Sequence, residues 1–278
     1  MTKTTKGHKF SFLKAYRRKY RGTSALTFMN EPTFDEYESN RWNLIIFSLI
    51  FLIGVVLTAC RFESSDLDAC LDNKANKDLC YNANAGSVEA QYDLGIFFGE
   101  QQDNKNAAYL SVFWLDKAAR QDHIEANVIL GQYYKQLGDL VRTRMYFERS
   151  ADLDEPISLN ELGKMFYSGI GVDVNVGIAL EKFKKSAELG YGNAQMNLAL
   201  MYYYGETGKQ DLKEAYAWYQ VASVCEPDAK DAIKAIEEEI NNAELLQSAK
   251  ELGDYYKTKY KCTLYHAKNI ENNNMYTQ

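Results

Sequence analysis

Proline and histidine are scarce: three of each in 278 residues. So little proline beside 21 tyrosines and many alanines argues against a turn-rich β architecture and for an all-α fold. The histidines, His8, His123 and His266, stand far apart in sequence, and none forms a metal-ligand pair at helical spacing. Neither Gly-x-Ser-x-Gly nor His-Glu-x-x-His occurs, which removes the signatures of nucleophile-elbow hydrolases and helical zinc proteases. The acidic run Glu237, Glu238 and Glu239 is consecutive, so it fans around a helix as a solvated face instead of pairing two carboxylates for acid/base work. The chain therefore reads as a non-enzyme with no cofactor and no metal. With 46% apolar and 25% charged residues it has material for one or two globular domains.

Charge is unevenly spread. Residues 1–42 hold nine Lys/Arg against four Asp/Glu, a net +5, so with −6 for the whole chain the remainder carries −11. Between the two lies "NLIIFSLIFLIGVVLTAC" (43–60), 18 residues without a charge, spanning about 27 Å as a helix at roughly 1.5 Å per residue. Length, Trp42 and Asn43 at the interface, and the basic excess before the segment predict one transmembrane helix with the N-terminus inside. A buried soluble helix is the alternative. The last four residues, Leu57, Thr58, Ala59 and Cys60, resemble a lipobox, so Cys60 is a lipidation candidate, although 42 residues make a long n-region for a cleaved signal. Either route places the rest at a bacterial envelope membrane, as a single-pass inner-membrane protein with its bulk in the periplasm or as a lipoprotein held through Cys60. The basic arm "KFSFLKAYRRKYRG" (9–22) sets orientation or lies on anionic lipid; no nucleic-acid partner is expected.

Five cysteines divide into Cys60 and an even set downstream, Cys70, Cys80, Cys225 and Cys262, as an oxidising compartment allows. The most local of three connectivities pairs Cys70 with Cys80 and Cys225 with Cys262. Four buried thiols remain the other reading.

Self-comparison carries the strongest signal. "EAQYDLGIFFGE" (89–100), "EANVILGQYYKQ" (125–136), "ISLNELGKMFYS" (157–168) and "NAQMNLALMYYY" (193–204) align on Gly95, Gly131, Gly163 and Ala199, at intervals of 36, 32 and 36. Second anchors, Ala118, Ser150, Ser186 and Ala222, precede the next first anchor by 13 residues in every case. Within a repeat the gap is 23, 19, 23 and 23, so a four-residue deletion lies between the helices of the second repeat. Each unit reads as two helices whose apolar stripes neither can bury alone, which predicts an α-solenoid. "YSGIGVDV" (167–174), with Gly169 and Gly171, then falls between two helices with no strand before it. That makes it a hairpin turn and not a phosphate loop. Residues 227–240 and 243–260 read as capping helices with Asn242 as N-cap, and 263–278 as a disordered tail.

The succession of alanine, leucine-glycine and aromatics, then "GIGVDV", then "KKSAELGYGNAQ", resembles the Sel-one-like repeat, a relative of the tetratricopeptide repeat. The likeness covers residues 88–226 as about four repeats, with 61–87 a linker and degenerate leading half-repeat. It implies a concave face, lined by the first helices, that binds envelope proteins or peptides. Positions carried over relative to each anchor are Tyr92 and Ile96; Val128, Gln132 and Lys135; Asn160, Lys164 and Tyr167; and Met196, Leu200 and Tyr203. Among them Asn160, Lys164 and Tyr167 form the favoured amide, cation and aromatic set. The resemblance also leaves an alternative open, since some cysteine-rich relatives are associated with β-lactam or peptidoglycan handling.

Overall fold

The computed structural model describes Cys70, Ala75 and residues 77–101 and 106–263. The basic arm, the segment 43–60 with Cys60, and residues 264–278 lie outside the described residues. Among the described residues no helix is long and apolar enough to cross a membrane.

The described secondary structure is all-α, in eleven helices: α1 (Lys77–Asn84), α2 (Val88–Gly99), α3 (Ala107–Ala119), α4 (Ile124–Gln136), α5 (Leu140–Ala151), α6 (Pro156–Ser168), α7 (Val176–Glu188), α8 (Gly192–Tyr204), α9 (Leu212–Ala222), α10 (Ala229–Glu239) and α11 (Ala243–Lys259). The chain divides into two compact units at the end of α3, between Lys117 and Ala118.

In the first unit, Cys70, Cys80, Leu94, Phe98, Leu110 and Trp114 share a core. A Cys70–Cys80 disulfide, with Cα atoms 6.0 Å apart, ties α1 to the chain before it. Helices α2 and α3 form a hairpin in which a Cβ on Gly95 would lie 2.5 Å from Leu115 Cγ.

In the second unit, the hairpins α4/α5, α6/α7 and α8/α9 stack so that each contacts mainly its neighbours along the chain, which is the α-solenoid arrangement. The anchors explain how closely the helices approach. A Cβ on Gly131 would lie 2.6 Å from Phe147 Cδ1, and one on Gly163 would lie 2.7 Å from Phe183 Cδ1. The first helix is bare at the spot where an aromatic of the second lies. In the last hairpin Ala199 and Tyr219 are buried in one shared core.

Polar side chains fasten a first helix to the stretch of chain just before it. Gln91, Asn127 and Gln195, each four residues before an anchor, donate from the side-chain amide to the carbonyl eight residues back, on Ala83, Ala119 and Ala187 at distances of 3.0, 3.2 and 3.1 Å. Those carbonyls belong to the closing turns of the preceding helices, where each also accepts a backbone N–H from the turn that follows, on Gly86, Asp122 and Gly190. In the third repeat leucine takes that place. There Ser150 Oγ donates to Ser158 Oγ at 2.6 Å, and Ser186 Oγ to the Pro156 carbonyl at 2.6 Å. His123 proves to be an N-cap, its Nδ1 accepting from the Ala126 N–H. Asp139, Asn175, Asp211 and Asn242 cap α5, α7, α9 and α11 in the same manner.

The deletion in the second repeat lies wholly in the turn. Three residues, 137–139, join α4 to α5, whereas 169–175 and 205–211 join the later pairs with seven each. Gly169 and Gly171 take positive φ, 71° and 74°, with Gly169 closing α6 in the left-handed conformation. Val172, in this turn, packs against the core cluster of Phe147, Ala151, Leu159, Leu162 and Met165.

The C-terminal end is covered twice. Helix α11 lies along α9, with the Trp218 ring 5.1 Å from that of Tyr256 and 4.8 Å from that of Tyr260, and α10 buries Ile236 in the same core. The chain then returns to the third–fourth repeat junction. A Cys225–Cys262 disulfide holds it there, Thr263 N–H donates to the Gly190 carbonyl at 2.8 Å, and the Gln195 amide donates to the Lys261 carbonyl at 2.8 Å. Thr263, read as the start of a disordered tail, is thus paired with Tyr191 in a parallel bridge.

Gly163→Ala forces a methyl against the Phe183 ring and is expected to cost about 1–3 kcal/mol of stability, the range for overpacking a filled core. Urea unfolding of the variant beside the wild type measures this, and an unchanged midpoint would refute the close-approach account.

Candidate functional site

The first helices of the second unit, α4, α6 and α8, carry nine of the residues placed on the binding face by sequence. Their environments differ sharply. Lys135 is exposed, Gln132, Lys164, Tyr167, Met196 and Leu200 are half-buried, and Val128, Asn160 and Tyr203 are buried. Tyr92 and Ile96 are half-buried on α2 of the other unit.

Asn160 needs correction. Only 1% exposed, it accepts at Oδ1 from Asn197 Nδ2 at 2.8 Å, so it ties α6 to α8 instead of facing an open groove. Val128 is likewise packed inside, at 3%. Tyr203 is 8% exposed, and its hydroxyl donates to Glu239 Oε2 at 2.6 Å on capping helix α10; burial and that carboxylate both push its pKa up. Tyr167 reaches Glu206 at 3.1 Å, in the turn of the next repeat. The physical reason is common to the three buried residues, Val128, Asn160 and Tyr203: one helix face must both hold the next hairpin and present a surface, and the side chains nearest the stacking seam are used for holding.

Lys135 and Lys164 meet at a residue the sequence reading passed over. Glu161, 8% exposed, accepts from Lys135 Nζ at 2.5 Å and also pairs with Lys164. Burial would push the Glu161 carboxyl up, but the two ammonium groups outweigh it and hold the group below the ordinary carboxylate range. Lys164 moves the other way: burial pulls its pKa below the usual lysine value, and Glu161 restores only part. The spacing of Glu161 and Lys164, three apart on one helix, was the signal available in sequence.

Beside this cluster lies a pocket of about 60 Å³, walled by Leu140, Phe147, Met165 and Ile170, with the two lysines and Glu161 on its lining. The short 137–139 turn shapes it. Helix α5 starts early, and Leu140 is brought so near the third-repeat turn that a Cβ on Gly171 would lie 2.8 Å from its Cβ. Among the described residues no group of three or more His, Cys, Asp or Glu is arranged to hold a metal ion.

An all-α stack of helical hairpins with a charged, partly apolar site between two of them defines a repeat-scaffold class of protein. The Sel1 repeat family model matches residues 88–123, 125–155, 156–191 and 192–223, so the chain contains four Sel1 repeats. Among solved structures it resembles c5321, a protective antigen present in uropathogenic Escherichia coli strains and displaying an SLR fold. The two are 26% identical with a TM-score of 0.59, over 69% of this chain and 44% of that one. The chain thus spans less than half of the E. coli protein. A Sel1 repeat protein from Oxalobacter formigenes shares the fold at 18% identity and a TM-score of 0.54, over 72% of this chain and 84% of its own. No curated protein matches. Sel1 repeats as a class mediate protein–protein interaction.

Glu161→Gln leaves two partly buried ammonium groups sharing a neutral amide and is expected to cost about 2 kcal/mol at neutral pH. Because the folded pKa of Glu161 lies below its unfolded value, its contribution is full above the unfolded value and fades as pH falls through the folded one. The melting-temperature gap between wild type and variant should therefore narrow on acidification, and a gap that stays constant from about pH 7 to about pH 3 would refute the ion-pair account.

Proposed function

We propose that the protein is a membrane-tethered scaffold of the bacterial envelope, whose stacked repeats hold a protein or peptide partner on the surface of the first helices. The observation that carries the reading is the site between the second and third repeats, where a cation cluster adjoins an apolar pocket on a fold whose class works by protein–protein interaction. Tethering rests on the uncharged run 43–60 and the basic excess before it, with lipidation of Cys60 as the other route to the same membrane. The two disulfides, Cys70–Cys80 and Cys225–Cys262, support a periplasmic placement of the repeats, since such bonds persist in oxidising compartments.

Within the surface, Lys135, Lys164, Gln132 and Tyr167 are the contacts the proposal relies on, with Met196 on the neighbouring helix. Crosslinking in cells followed by recovery of the full chain should capture protein partners, and Lys164→Glu combined with Tyr167→Ala should lose them. Lys135→Gln, which removes the exposed cation without setting a second carboxylate beside Glu161, provides the second variant. Undiminished recovery with both variants, each shown folded by circular dichroism, would count decisively against this surface.

A further inference from the structure

The two disulfides stand in unlike surroundings. Cys70 and Cys80 are 0% exposed in the core of the first unit, whereas Cys225 and Cys262 are only half-buried in the second. A thiolate must reach one sulfur of a bridge to reduce it, so access separates the two pairs. Cys225 Sγ also lies against the first residue of α8, so close that a Cβ on Gly192 would be 2.9 Å from it. A helix N-terminus favours a thiolate, which makes Cys225 the better leaving sulfur and Cys262 the one attacked.

The outer bridge holds a short piece of chain. Past α11 the chain turns back over residues 261–263, with the Lys261 and Thr263 side chains exposed. The hold there comes from the main chain: the Thr263 N–H donates to the Gly190 carbonyl at 2.8 Å, and the Lys261 carbonyl accepts from Gln195 Nε2 at 2.8 Å. Such bonds compete with water and give little net hold, so the covalent link is what keeps the segment seated. Helix α11 has anchors of its own. Trp218 packs on the rings of Tyr256 and Tyr260, the Tyr256 hydroxyl donates to Glu214 Oε2 at 3.0 Å, and a Cβ on Gly253 would lie 2.8 Å from Gln220 Oε1.

We propose that Cys225–Cys262 is a redox latch, opened by a dithiol reductant, whose release lifts residues 261–263 from the third–fourth repeat junction and uncovers the Gly190 carbonyl and the Gln195 amide. One thiolate of the reductant bonds to Cys262 Sγ, and the bridge breaks with its electron pair on Cys225 Sγ, which takes a proton. The second thiolate of the reductant then attacks the reductant's own sulfur in the mixed disulfide, and Cys262 leaves and is protonated in turn. The reductant ends as a disulfide, and the protein has gained two electrons and two protons. Helix α11 stays docked, so the change is local. The Cys70–Cys80 bridge, enclosed by its core, stays oxidised.

The test uses the full-length protein in detergent, equilibrated with graded dithiothreitol, alkylated and mapped by peptide mass spectrometry. Cys225 and Cys262 should be labelled at about tenfold lower dithiothreitol than Cys70 and Cys80. Hydrogen exchange of the latch-open protein should speed up severalfold at Thr263, while α9 and α11 keep their protection. The double variant Cys225→Ser, Cys262→Ser, which cannot form the bridge, should show the same exchange without reductant. Labelling of all four cysteines together, or of Cys70 and Cys80 first, would overturn the inference. Unchanged exchange at Thr263 in both the reduced protein and the variant would show that the hydrogen bonds alone seat the segment. Loss of protection across α11 would show a staple for the whole cap; either result removes the latch.

Discussion

A helical hairpin of this length presents an apolar stripe on each helix and has nothing of its own to cover the outer one. The contact that makes the hairpin pair closely is the bare spot on the first helix, Gly131 or Gly163, against the ring of Phe147 or Phe183. With the ring seated there, the two backbones come near enough for the remaining stripe residues to interdigitate. The hairpin still has an uncovered flank, and only another hairpin of the same shape covers it well. Stacking, the 13-residue link between repeats, and the need for capping at the end all follow from that requirement. Helices α10 and α11 meet it at the C-terminus, where Trp218, Tyr256 and Tyr260 replace the seam that a further repeat would supply.

The polar contacts add what apolar packing lacks, which is direction. A hydrophobic flank can slide by a turn at modest cost, but an amide aimed at one carbonyl cannot. Gln91, Asn127 and Gln195 each fix the position of a first helix on the end of the helix before it. Asn160 with Asn197, Tyr167 with Glu206 and Tyr203 with Glu239 do the same work on the side of the first helices. A surface built by these residues is therefore pre-ordered, and a ligand held on it loses less to immobilising side chains than one held on a mobile surface.

The fold was legible because its signals are periodic. Gly95, Gly131, Gly163 and Ala199 repeat with their second anchors at a fixed offset, and a turn with two glycines between apolar helices has few other meanings once no strand precedes it. The site was legible only in part. Register relative to an anchor says which side of a helix a residue takes, and this put Lys135 and Lys164 each on the face of its own first helix. It does not say how far the next hairpin overlaps that side. The crossing of α6 and α8 decides that Asn160 is enclosed, and nothing local to Asn160 records the crossing. Glu161 was missed for a related reason: a carboxylate on the seam side of a helix looks like an ordinary surface charge until a lysine from the preceding repeat is seen to arrive beside it.

The second repeat shows how a solenoid acquires a distinct site without changing its plan. Removing four residues from a turn leaves the stacking seams intact, since both anchors keep their spacing to the neighbouring repeats. Its effect falls on one edge, where Leu140 walls a pocket against the turn of the third repeat. A substitution at an anchor, by contrast, would disturb packing on both sides. Local specificity in such a fold is therefore most cheaply written in turn lengths and in the few side chains bordering them, while the anchors stay fixed by the fit of ring to glycine.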